Sequence, residues 1–362
     1  MSLGHGPKIV TNSLAFAFDM NSKQSWKGKP TTNFIADAGR DCAAEYSGSS
    51  YPFVSQNITS QVQAAWSSSN NTFAMQFEGY REYVDGGSGG GADGYPVMYI
   101  YFTDWSWSTT INRTGYEWSH VGKTFTMPDP TGKSVVFAIY HMNSTNRGKS
   151  HARNFQIEHG NIVTPFVNGT RSNTEALLDW TSNATITATS PTYNSDNTFT
   201  FNSGTERLDI SNSIPISNNF SWTAWIRSNN IAQTQNIVSM NGPYFMRLSG
   251  SKVRFNILTS GGWLFQNGTT VLSSNTWYNL CMVWNGDANT WTGYINGKQE
   301  FSVSKSGTVN YGSLYGYVGY TPQGGEQSYF NGDIPVLYCH NKALTAQEVQ
   351  QNFNALRGRY GI

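Results

Sequence analysis

Apolar and polar positions alternate in short runs over most of this chain. The run Phe220-Ser221-Trp222-Thr223-Ala224-Trp225-Ile226 places Phe220, Trp222, Ala224 and Ile226 on one face of an extended strand, because successive side chains point to opposite sides of a sheet. Residues 97–102 and 134–140 are aromatic, β-rich runs, and residues 278–284, 290–295 and 314–320 read in the same way. Residues 8–20 read as a further strand. Between Ile295 and Lys298, Asn296-Gly297 predicts a two-residue hairpin, since Asn and Gly accept the two positive φ angles of a type I′ turn. Many short strands, Gly and Asn turns and almost no helical period predict an all-β protein built from antiparallel β-sandwiches.

One segment breaks this pattern. Thr345-Ala346-Gln347-Glu348 is a capping box, with Leu344 and Val349 placed as a hydrophobic staple. Val349, Phe353 and Leu356 then recur on one helical face. The pattern predicts a short C-terminal helix over residues 345–357, stopped at Gly358. Its expected role is a structural clasp on the preceding sandwich.

Composition narrows the partners. Charged residues are only 12% of 362, and the net charge is +1, so the surface is neutral polar. That excludes the basic stripe of a nucleic-acid protein and electrostatic binding to a membrane. No run is long and apolar enough for a transmembrane helix. The N-terminal residues lack the charged and apolar regions of a signal peptide. Cys42, Cys281 and Cys339 are odd in number and far apart, which suits neither a disulfide framework nor a zinc site and fits folding in a reducing cytoplasm.

Candidate catalytic groups read as structural. No tight Glu-x-Asp-x-Glu run is present, and Asp85, Asp93, Asp104, Asp129, Asp179, Asp196, Asp209, Asp287 and Asp333 are scattered in turn-like settings. Gly86-Gly87-Ser88-Gly89-Gly90 matches a nucleophile elbow in letters only; its glycine-rich flanks lack the strand and helix that the motif requires. His141, His151 and His159 are spaced so that they could face one another across strands, but no two histidines sit at i, i+4 on a helix.

The aromatic residues carry the binding chemistry. An exposed Trp or Tyr ring offers the C–H face of a sugar an uncharged platform, and amides fix the hydroxyls. In Asp104-Trp105-Ser106-Trp107-Ser108 the two tryptophans stand at i and i+2, and on a strand both rings face one way. Platform and sandwich core are both open for them. Tyr95, Tyr116 and Trp118 are near in sequence, and Trp263 follows two glycines in a loop-like setting. These six residues, Trp105, Trp107, Tyr95, Tyr116, Trp118 and Trp263, are the candidate ligand-binding set.

Residues 174–362 resemble the concanavalin-like, laminin-G-type jelly roll. The matching pieces are Phe199-Thr200-Phe201-Asn202-Ser203-Gly204, the Phe220–Ile226 run, Asn275-Thr276-Trp277-Tyr278-Asn279-Leu280, Gly293-Tyr294-Ile295-Asn296-Gly297 and Phe330-Asn331-Gly332-Asp333-Ile334. The opening Gly6-Pro7-Lys8-Ile9-Val10-Thr11-Asn12-Ser13-Leu14-Ala15-Phe16 and the closing residues 343–361 look like those of bacteriophage virion proteins of this type. The opening normally begins the same jelly roll, so the resemblance implies an insertion. Residues 1–29 would hold the first strand, and residues 172–362 the remainder of that domain. Residues 30–171 would be a second, galactose-binding-like jelly roll that resembles a carbohydrate-binding module. Lys29-Pro30-Thr31-Thr32-Asn33-Phe34-Ile35 resembles the usual entry of such a module. Phe155-Gln156-Ile157-Glu158-His159-Gly160, followed by Thr164-Pro165-Phe166-Val167, resembles its usual exit. Stretches 28–33 and 168–173 would be linkers.

The expected fold is therefore all-β, two antiparallel β-sandwiches (jelly rolls), one inserted in the other. The implied function is a non-enzymatic virion component (tail fibre, baseplate or head decoration) that binds host surface polysaccharide weakly and multivalently. Its partners would be that polysaccharide, other virion proteins and further copies of itself, with no nucleic acid and no membrane. It would be made in the host cytoplasm and sit on the virion surface. A purely structural decoration protein and a polysaccharide hydrolase are the alternatives. No cofactor is expected; the resemblance admits calcium, but no ligand set reads from the sequence.

Overall fold

The computed structural model describes residues 8–45, 52–82, 94–142, 148–194, 199–202, 204–240, 244–309, 313–322 and 328–362. Residues 1–7, Asp85, the Gly86 to Gly90 run, Asp93, Asp196 and Ser203, all singled out above, lie outside the described residues. The chain divides into two compact units, Lys29–Ser172 and Met1–Gly28 with Asn173–Ile362. The described structure is all-β, with two helices, one of them C-terminal.

In the unit formed by both ends of the chain, strand Asn331–His340 is flanked by Asn219–Ser228 on one side. On the other side lie Phe199–Asn202 and the N-terminal strand Leu14–Asp19. Trp277–Asn285, Thr290–Ile295 and Lys298–Ser304 extend this eight-stranded sheet. A seven-stranded sheet, from Thr185–Thr189 to Gly262–Asn267, covers one face of it. Phe220, Trp222, Ala224 and Ile226 all enter the core between the sheets. The N-terminal strand is shorter than residues 8–20. It is pinned by Asp179, whose Oδ1 accepts from the Ala17 N–H at 2.9 Å. Asn296 and Gly297 take φ angles of 51° and 72°, so the hairpin turn forms as the local sequence dictates. Gly332 needs its glycine, because at φ 135° a Cβ would lie 2.0 Å from the Arg227 carbonyl oxygen.

The second face of the eight-stranded sheet is covered by the helix Ala346–Tyr360. Glu348 N–H donates to Thr345 Oγ1 at 3.2 Å, and Thr345 N–H donates to Glu348 Oε2 at 2.9 Å. Leu344 and Val349 close one cluster; Phe353 and Leu356 close another around Trp225. The helix passes Gly358 and stops at Gly361, at φ 72°. The expected stop fails because tertiary contacts hold one more turn. Tyr360 stacks on Trp225 at 4.4 Å, and Arg359 Nη1 donates to both oxygens of the buried Asp19 carboxylate at 2.8 and 2.7 Å.

The Lys29–Ser172 unit is a sandwich of two four-stranded antiparallel sheets. One has the order Cys42–Glu45, Lys149–His159, Thr72–Glu82, Ser119–Thr126. The other has the order Val54–Asn57, Val135–Met142, Tyr95–Phe102, Ser108–Asn112. Phe73, Met75, Phe77, Phe155 and Ile157 from the first pack against Met98, Ile100, Phe102, Phe137 and Ile139 from the second. A short helix, Thr59–Ala65, adds Val62 to this core. The stretches read as linkers pair with each other, Thr31–Thr32 against Thr170–Arg171. Beside them Asn33 is buried with its amide satisfied. Nδ2 donates to the carbonyls of Phe155 and Val167 at 2.8 and 3.0 Å, and Oδ1 accepts from the N–H groups of Ile35 and Ile157. Entry and exit are thus stitched by one side chain.

Candidate glycan-binding face

The strand Tyr95–Phe102 runs without a register shift against Val135–Met142 and Ser108–Asn112. With Met98, Ile100 and Phe102 in the core, alternation puts Tyr95, Val97, Tyr99 and Tyr101 on the outer face. Register then adds Val136, Ala138, Tyr140 and Met142 from one neighbour and Ser108, Thr110 and Asn112 from the other. Ser55 and Asn57 complete the face. None of these described residues carries a formal charge. Tyr99 and Tyr140 meet edge to face at 5.1 Å. Burial, followed by a hydrogen bond with Tyr101, raises the Tyr140 hydroxyl well above the usual phenol range, so it stays protonated.

Trp105 joins this face from the turn after the strand. Segment 103–107 is a turn, not the continuous strand that the i, i+2 reading of Trp105 and Trp107 needs. Asp104 Oδ1 accepts from the N–H and hydroxyl of Ser106, and Lys133 Nζ donates to Oδ2. The Lys133 contact first, then those of Ser106, hold the Asp104 carboxyl well below the usual carboxylate range. Trp105 takes φ 54°, a left-handed conformation that costs a bulky residue on the order of 1 kcal/mol. That backbone lays its indole parallel to the Tyr101 ring, with centroids 4.3 Å apart and planes 7° apart, and leaves it 58% exposed.

Trp107 goes the other way. Its ring lies half-buried against Phe102 and Phe125 at 5.3 and 5.9 Å, part of the sandwich core. Of the two readings open for the pair, each holds for one ring: Trp105 faces outward and Trp107 inward, because the turn breaks the strand alternation.

Tyr116 and Trp118, 50% and 39% exposed, lie on the loop leading into Ser119–Thr126 and belong to the opposite sheet. The outer face of that sheet is charged. Arg153 sits 4.0 Å over the Trp118 ring and donates from Nε to Glu78 Oε2 at 2.9 Å. His151 stacks on Tyr80 at 4.2 Å and donates from Nε2 to Glu82 Oε2 at 2.8 Å. Trp118 meets Tyr80 edge to face, and Arg81 covers Tyr116 at 4.3 Å. His120 bonds Gln76; burial lowers its pKa, partly offset by Glu78. The three histidines do not converge: His141 bonds Ser150 Oγ, and His159 packs on Phe73 and donates to the Asn70 carbonyl.

Trp263 lies in the other unit, 47% exposed on the edge strand Gly262–Asn267, where Phe265 shares its face. Its expected loop is a strand. Among the described residues, no group of three or more His, Cys, Asp or Glu is placed to hold a metal. No described helix is long and apolar enough to cross a membrane.

Tyr95 and Trp105 are therefore the sequence-derived candidates brought to one face, with Tyr99, Tyr101 and Tyr140 added by the fold. Their period-two spacing was visible, but the alternate positions Met98, Ile100 and Phe102 are equally apolar. Tyrosine, apolar in its ring and polar at its tip, does not say which set faces inward.

Residues 202–350 match the concanavalin A-like lectin/glucanases superfamily, in its laminin-G-type form. The match lies within the unit formed by both chain ends, and the aromatic face is outside it. No curated protein matches the chain. Among solved structures, the chain is similar to botulinum neurotoxin type C, whose cell entry depends on interaction with two ganglioside molecules. That match has 17% identity and a TM-score of 0.42, over 51% of this chain and 50% of that one. The heptameric SAP-like pentraxin of Limulus polyphemus is similar at 18% identity and a TM-score of 0.36, over 42% of this chain and 78% of its own. The CBM40 domain of the Ruminococcus gnavus IT-sialidase, bound to α2,3-sialyllactose, is similar at 12% identity and a TM-score of 0.33, over 37% and 82%.

Proposed function

We propose that this chain is a non-enzymatic, glycan-binding component of a bacteriophage particle, displayed outward and binding host surface polysaccharide. The observation that carries the binding is the outer face of Tyr95, Tyr99, Tyr101, Tyr140 and Trp105, an aromatic surface without charge. Sugar C–H faces stack on such rings, and the flanking Asn57, Thr110 and Asn112 offer amide and hydroxyl partners. A polar residue set would serve solubility alone; an exposed Trp held at a positive φ does not. The lectin-superfamily match of residues 202–350 supports a carbohydrate role for the chain. The particle context rests on the resemblance of its opening and closing segments to virion proteins. One weak site suffices when many copies, as a homo-oligomer or alongside other virion proteins, engage one surface.

The test is binding of the purified chain, displayed multivalently, to a glycan array and to host surface polysaccharide, beside Trp105→Ala. Binding that is lost in the variant while the thermal unfolding midpoint is kept supports the reading. Equal binding by both proteins removes the aromatic face from it. An absence of binding at densities where avidity rescues weak contacts leaves a purely structural decoration protein.

A further inference from the structure

We infer that the aromatic face takes an extended, uncharged glycan chain lying along strand Tyr95–Phe102, several sugar units at a time, and not a single terminal or acidic sugar. This rests on the glycan-binding reading above and specifies its ligand.

Three observations define the ligand. The first is length. Tyr95 and Tyr101 are separated by six residues of unbroken strand, about 20 Å at ~3.4 Å per residue, or the span of roughly four pyranose units. Trp105, stacked on Tyr101, prolongs the row beyond the end of the strand, and Met142 stands opposite Tyr95 at its other end. A ligand of one unit would touch one end only.

The second is charge. The outward positions of this sheet carry no ammonium, guanidinium or carboxylate. The described ionic pair at the Trp105 end, Lys133 with Asp104, is committed to the turn that holds Trp105. A carboxylated sugar pressed against these tyrosines would lose water without gaining a cation, an unfavourable exchange. The cations of the opposite face do not change this, since Arg153 is paired with Glu78.

The third is the grading of the row. Trp105 is the most exposed ring of the row, whereas Tyr95, Tyr99 and Tyr101 are half-buried. The indole therefore contributes to ligands of any length, and Tyr95 only to those long enough to reach it.

The experiment is a titration of the full chain, by NMR or calorimetry, with neutral cello-, malto-, xylo- and manno-oligosaccharide ladders from disaccharide to hexasaccharide, and with sialyllactose. Affinity for at least one neutral ladder is expected to rise with length and level off near four or five units. Tyr95→Ala is expected to lower hexasaccharide affinity about three- to tenfold and leave the disaccharide unchanged, while Trp105→Ala lowers both. Tyr95→Leu, which keeps apolar bulk at the position, controls for folding and should lose the same length dependence. Length-independent binding that Trp105→Ala still abolishes overturns the extended chain and leaves the glycan-binding reading intact. Tighter binding of sialyllactose than of every neutral ladder overturns the uncharged class. Absence of binding to every ladder overturns the inference. Binding unaffected by Trp105→Ala overturns both it and the use of this face.

Discussion

The two outer faces of the Lys29–Ser172 sandwich share a core and a strand count but offer opposite chemistry. On the sheet containing Thr72–Glu82, each exposed ring is already engaged. Arg153 covers Trp118, Arg81 covers Tyr116, and His151 covers Tyr80, with Glu78 and Glu82 closing the network. On the sheet containing Tyr95–Phe102, Tyr99 meets Tyr140 and Tyr101 meets Trp105, whose indole is left open to solvent. A face whose polar groups satisfy one another has little left for a ligand, and its exposed ion pairs stabilise it only slightly. A neutral aromatic face has its desolvation still to gain, and contact with a second apolar surface releases it.

The largest effect expected from breaking this contrast is on stability. Trp107→Ala opens a cavity beside Phe102 and Phe125, and it should destabilise the Lys29–Ser172 unit by about 2–4 kcal/mol in urea unfolding. Trp105→Ala, two residues away, should change stability by less than ~0.5 kcal/mol and reduce glycan binding about tenfold. If the two variants behaved alike, the split between inward and outward rings would be wrong. On the charged face, Arg153→Ala removes an ion pair whose side chains are about one-third exposed. It should cost below ~1 kcal/mol and leave sugar binding unchanged; a loss of binding would move the site to that face.

The smallest effect concerns pH. Burial holds the folded His120 pKa below its ordinary value, against the pull of Glu78. The unfolded chain then binds more protons below about pH 6.5. Stability is full above that value and falls as pH drops through it toward the lower folded pKa. Thermal unfolding followed against pH should show this slope, and His120→Gln should reduce it without abolishing it, because burial also lowers the pKa of His340 in the other unit. The Tyr140 hydroxyl, raised by burial, stays protonated in this range, so sugar binding measured over the same window should stay flat. Parallel loss of binding and stability would show that the two faces are coupled.

Where local chemistry alone decides conformation, the sequence was readable. Asn296-Gly297 forms its hairpin turn, Thr345 and Glu348 form the capping box, and Phe220, Trp222, Ala224 and Ile226 share the core face. Where two readings have equal local merit, it was not. Trp105-Ser106-Trp107 suits a strand as well as a turn, and only the Asp104 contacts with Ser106 and Lys133 reveal the turn. Gly358 is as good a helix stop as Gly361 until Trp225 and Asp19 hold the last turn.

Local patterning is enough for the all-β class, the strand faces of strong alternation, the helix start and the neutral, aromatic composition. Tertiary structure alone decided which aromatics face outward and which neighbours they meet. The physical reason is that turns and caps are satisfied by groups a few residues apart. The side of a sheet that meets water depends on what the rest of the chain packs against it.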